Sequence, residues 1–91
     1  MPLFTFVIDF RGGTYLSQNS AQNVSEASER FCEAIASDSA HPLHAQTRRS
    51  IAATLSEGSD WVELAGLNSV WCTSCVISDE LALIHMIKTH S

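Results

Sequence analysis

Residues 3–10 (LFTFVIDF) alternate: Phe4, Phe6, Ile8 and Phe10 fall on one side of an extended chain, Leu3 and Val7 on the other. An aromatic and β-branched run with period two predicts a strand. Arg11-Gly12-Gly13 follows, and Thr14 to Gln18 (TYLSQ) reads as a second strand. Gly-Gly between two such runs predicts an antiparallel hairpin turning near residues 11–13, because tight hairpin turns need positive φ.

The polar stretch Asn19 to Asn23 ends that pattern, and the apolar spacing changes to that of a helix. Val24, Ala27, Phe31, Ala34 and Ile35 share one face, which predicts a helix from Val24 to Ser37. Asn23 is placed to cap it, with Glu26 three residues on, as in a capping box. Ser37 to His41 breaks the chain, and a second helix is expected from near Pro42, a residue that suits a first helical turn. Leu43, Thr47, Ile51 and Leu55 step by four along its inner side, supported by Ala52, with Arg48 and Arg49 on the flank or outer face. Gly58 is the candidate C-cap.

Within residues 59–69 (SDWVELAGLNS), Asp60 to Leu64 fit a short strand, a turn of helix, or an ordered loop packed by Trp61. Residues 70–78 (VWCTSCVIS) read as a third strand, Ser78-Asp79-Glu80 as a turn, and residues 81–89 (LALIHMIKT) as a fourth strand. The order ββααββ predicts one α+β domain over residues 1–91, with a four-stranded, mainly antiparallel sheet packed with two helices. A sheet covered on one face should alternate apolar with polar positions. Here the third strand sets Trp71, Cys75 and Ile77 against Val70, Cys72 and Val76. The fourth sets Leu81, Leu83 and Ile87 against Ala82, Ile84 and Met86. If both helices share one face, the other needs a partner, and a homodimer packing sheet on sheet or pairing edge strands is the simplest solution.

Composition narrows the classes. The chain has 91 residues, 45% apolar and only 16% charged, which excludes intrinsic disorder and more than one domain. Five Lys+Arg against ten Asp+Glu argue against an electrostatically driven nucleic-acid binder, and no apolar run is long enough to cross a membrane. The first residues give no basic n-region or uninterrupted apolar segment, so the cytoplasm is the expected location. Three cysteines fit reduced, mostly buried thiols better than a disulfide framework.

Several short motifs are of the residue types that carry chemistry. Trp71-Cys72-Thr73-Ser74-Cys75 spells W-C-x-x-C, a redox signature that needs Cys72 at a helix N-terminus. On a strand, positions 72 and 75 point to opposite faces, so two packed thiols are expected instead. The same cysteines with His41 and His44 offer zinc-type ligands, but a C-x-x-C zinc knuckle is a turn and not a strand. His85, in an apolar strand, reads as a core or interface histidine. Met1-Pro2 raises the N-terminal proline base of the oxalocrotonate-type tautomerases, with Arg11 holding a carboxylate substrate. That family has a helix where this chain has the Gly-Gly hairpin. Arg11-Gly12-Gly13 is a single turn, not a repeated RNA-binding box, and Asp9 and Arg11 are expected to pair across it.

The hairpins carry a resemblance. Residues 6–18 (FVIDFRGGTYLSQ), 68–77 (NSVWCTSCVI) and 81–89 resemble small bacterial proteins of unassigned function. These begin with a DYRGGTY-type hairpin and end with a VWC-type strand. The matching positions are Asp9, Arg11, Gly12, Gly13, Thr14, Tyr15, Gln18, Trp71 and Cys72. This chain departs from them with Phe10 in place of Tyr and the additional Cys75. The resemblance implies an architecture and a bacterial source, and no activity.

The expectation is a small non-enzymatic protein acting through protein–protein contacts as a homodimer, in a regulatory or immunity-like role. The alternative is a small-molecule-binding or catalytic domain with a pocket near Arg11-Gly12-Gly13. The candidate binding or interface residues are Asp9, Arg11, Tyr15, Gln18, Trp61, Trp71 and His85. No catalytic residue, cofactor or metal is called for, and neither nucleic acid nor membrane is an expected partner.

Overall fold

The computed structural model describes residues 2–38, 41–57, 61–64 and 66–90. The chain runs β1 (Leu3–Phe10), β2 (Gly13–Ser20), α1 (Val24–Ser37), α2 (Ala45–Ser56), β3 (Val62–Glu63), β4 (Val70–Ile77) and β5 (Glu80–His90). All neighbours in the sheet are antiparallel, in the order β2-β1-β5-β4-β3. The fold is α+β as the pattern predicts, but the sheet has five strands rather than four and the order is ββααβββ. The additional strand is the two-residue β3, which pairs with Trp71 and Cys72 on the outer edge of β4. Two residues are too few for a period to show in the sequence.

Both long hairpins turn on two residues with positive φ, Arg11 (51°) and Gly12 (76°) in the first, Ser78 (52°) and Asp79 (66°) in the second. These angles match the type I′ turn, whose twist suits antiparallel strands. The first turn therefore falls within the expected residues 11–13, on Arg11-Gly12 rather than on the Gly-Gly pair itself. Gly13 opens β2 opposite Phe10, and a Cβ there would stand 2.6 Å from the Tyr15 hydroxyl. Arg11 does not pair with Asp9. Its Nε donates to Glu80 at the start of β5, and its guanidinium lies 5.0 Å from the centre of the Phe10 ring. Asp9 instead accepts from the Thr14 hydroxyl at 2.8 Å.

Both helices pack on one face of the sheet. Phe4, Phe6, Ile8 and Phe10 of β1, with Ala82, Ile84 and Met86 of β5, form the floor of the core. The Phe6 ring stacks on Phe31 of α1 at 4.3 Å and 10°, and Trp61 meets its edge at 6.1 Å. Asn23 caps α1 as predicted, accepting from the Glu26 N–H at 2.8 Å. Cys32 rather than Ala34 completes the buried stripe of α1.

The second helix starts three residues later than Pro42 suggests. The His44 Nδ1 accepts from the Gln46 N–H and acts as its N-cap. The expected Gly58 cap lies outside the described residues. Arg48 is buried at 6% exposure, not on the outer face. Its guanidinium donates to the Ile35 carbonyl at 2.8 Å and the Leu43 carbonyl at 3.2 Å. Ile35 lies in the last turn of α1, where carbonyls lack intrahelical partners, and α1 has no basic residue of its own there. The second helix thus supplies the cation that caps the first.

Replacing Arg48 by Ala leaves both carbonyls without that donor, so the expected cost is about 2–4 kcal/mol of unfolding free energy. Arg49→Ala, at the exposed neighbouring position, should cost under about 0.5 kcal/mol. Urea denaturation of the two variants checks the contrast, and equal midpoints would overturn this role for Arg48.

Candidate functional site: the open sheet face

Strand alternation sends every second residue to the face that the helices leave bare. The register places Leu16, Val7, His85, Cys72 and Val62 side by side across all five strands. On one side of this row lie Gln18, Thr5, Ile87 and Val70; on the other, Thr14, Asp9, Leu83 and Ser74. Leu81 and Val76 extend the face towards the second hairpin turn. Leu16 (67%), Val76 (66%), Val62 (61%) and Leu81 (57%) are widely exposed for such large apolar side chains. Single exposed leucines are ordinary, but several large apolar side chains grouped on one sheet face are not.

Polar groups on this face bond to one another. Gln18 Nε2 donates to the Thr5 hydroxyl at 2.9 Å, and the Thr5 and Thr89 hydroxyls share a hydrogen bond at 3.0 Å. Thr89 in turn donates to the Leu3 carbonyl at 3.2 Å. With the Thr14–Asp9 bond, these contacts satisfy polar groups near the ends of the face and lower the cost of removing water from it. Asp9 is the one acidic side chain among the described residues of the face, so the net charge of −5 is carried elsewhere.

The predicted site residues divide between the two sides of the sheet. Asp9, Gln18 and His85 lie on the open face. Tyr15, Trp61 and Trp71 lie on the helix side, and Arg11 stands at the first turn. Tyr15 packs 5.9 Å from His41, Trp71 lies 6.3 Å from Phe4, and the Trp61 indole donates to Ser28 at 3.0 Å. These seven residues do not converge on one pocket. The aliphatic members of the open face, Leu16, Val7, Leu83 and Ile87, are absent from the predicted site, although the two-sided apolar strands were their signal.

A cleft of about 280 Å³ opens beside α1 and α2, lined in part by Ser28, Glu29, Cys32, Ser56 and Trp61. Burial pushes the Cys32 thiol above its ordinary pKa; the nearby carboxylates of Glu29 and Glu33 add to this and a bond to Ser56 opposes it. Cys75 is raised by burial alone. Neither thiol is activated as a nucleophile. Cys72 and Cys75 point to opposite faces, as expected for a strand, so W-C-x-x-C is not arranged here as a disulfide pair. His41 and His44 each turn Nδ1 to a backbone N–H, from Leu43 and Gln46. No helix among the described residues is long and apolar enough to cross a membrane. Comparison with family models, curated proteins and solved structures gives no match.

In the native protein at neutral pH, a thiol reagent should leave Cys32 and Cys75 unmodified, and modification of either would overturn this assignment. Because both folded pKa values are raised, their contribution to stability is complete below the ordinary thiol value of about 8.5. It is lost as pH rises through the folded values. Thermal melts should therefore show an alkaline loss of stability that weakens in Cys32→Ser.

Proposed function

We propose that this protein is non-enzymatic and works through protein–protein contact, with a second copy of the chain covering the open sheet face. The observation that carries this reading is the bare aliphatic face opposite a face that both helices cover. Four long strands about 4.8 Å apart and about eight residues long present roughly 500 Å² in projection. Two such faces would bury about 1,000 Å² or more, which reaches the threshold of a specific interface.

A second copy suits this surface for an electrostatic reason as well. The whole chain is acidic, so two copies repel at long range. The face itself carries one acidic side chain and a row of aliphatic ones, so contact there brings few like charges together. Two such sheets pack about 10 Å apart with strands offset by about 30°, and a two-fold axis makes the contact self-complementary. A binding role of this kind suits a regulator or a protein that neutralises a partner, since each needs surface rather than a nucleophile.

Light scattering at micromolar concentration should give twice the chain mass of 9.9 kDa. Val7→Lys, in the middle row, places an unpaired ammonium in the contact from each copy and should weaken association by about 100-fold or more. Its far-ultraviolet circular dichroism should be unchanged. A wild-type mass near that of one chain would overturn the reading.

A further inference from the structure

We propose that the centre of the open face is half of a metal site, which takes a zinc-class divalent cation through Cys72 and His85 of each of two copies. The second pair of ligands rests on the dimer proposed above. His85 is the middle residue of β5, and β5 is the middle strand of the sheet. Cys72 is its register partner on β4, so the two side chains leave the same face side by side. Facing residues on adjacent strands have Cβ atoms about 4.5–5.5 Å apart. A thiolate and an imidazole at that separation can converge on one ion at about 2.3 and 2.0 Å.

Both groups are available. His85 makes no side-chain hydrogen bond with the described residues, and Cys72 has only a long contact to the Thr73 carbonyl at 3.7 Å. Thr5, Asp9, Thr14, Gln18 and Thr89 are tied by hydrogen bonds and the imidazole is not, so covering the face would strand it at the centre. Val7 and Val62, which flank the pair in the same row, titrate nothing.

One chain does not complete the site: no group of three or more metal-binding side chains exists among the described residues. Sheets packed about 10 Å apart put an ion at the midplane about 5 Å from each, within reach of both side chains. A two-fold axis beside the Cys72–His85 pair then supplies two sulfurs and two nitrogens, the tetrahedral set of structural zinc. Each thiol loses its proton to solvent on binding, and two thiolates neutralise the divalent charge in an aliphatic surround.

The test is a titration of chelator-stripped, fully reduced protein with cobalt(II) and with zinc, with the mass measured on the same samples. The expected result is half an ion per chain, visible absorption of tetrahedral thiolate-bound cobalt, and two protons released per zinc ion. Cys72→Ser and His85→Gln should each weaken binding at least about 100-fold. His44→Asn, which keeps a capping oxygen on α2, should leave it unchanged. Circular dichroism verifies that each variant is folded. A metal-free dimer that binds no ion overturns this inference and leaves the dimer standing, whereas a monomer that binds none overturns both. A monomer that pairs only with the ion supports the site and overturns metal-independent association. One ion per chain, or binding unchanged in Cys72→Ser, also overturns it.

Discussion

The stacking of Phe6 on Phe31 decides which way the sheet faces. It places α1 over β1 at the centre of the apolar floor, and the residues beside Phe6 in the register, Ser17 and Met86, must share its side. Because strand side chains alternate, Val7, His85 and Leu16 are sent to the opposite side by the same contact. Arg48 then binds the end of α1 to the start of α2, which holds the second helix in the same layer as the first. With both helices on one side, the other side of the sheet has no cover within the described chain.

That bare face differs from an ordinary solvated one. A sheet surface meant for water commonly carries charged residues at every second position. Here many of those positions hold valine, leucine and isoleucine, and Gln18, Thr5 and Thr89, like Thr14 and Asp9, are joined by hydrogen bonds. The acidic side chains of α1 lie on the helix layer, away from the face. A surface with little charge and few unsatisfied groups loses little on dehydration and gains from the burial of its aliphatic atoms. His85 is the exception, and it stands at the centre with a thiol beside it.

Much of this was readable along the chain because the controlling interactions are local or periodic. The first hairpin follows from an apolar alternation and a glycine where φ must be positive. The first helix follows from the Asn23 cap and its apolar stripe. Arg48 shows where this reading stops. It sits beside Arg49 in sequence and looks equally solvated, but its partner is a carbonyl thirteen positions away. The strand β3, one of three alternatives for its segment, stayed undecided for a related reason, since two residues have no period and exist as a strand only because β4 offers an edge.

The sequence by itself determined the two helices and four long strands, the parity of the strands and the excess of apolar residues over what one sheet face can use. Those properties depend on side-chain type and spacing, which a linear string contains. Only the tertiary structure decided that both helices lie on the same side, and so that Cys72 and His85, paired across the second hairpin, stand on the side left open. The Ser78-Asp79 turn sets the β4–β5 register and so the Cys72–His85 pairing locally, whereas which face the helices cover depends on packing between segments far apart in the chain, and no local pattern encodes it.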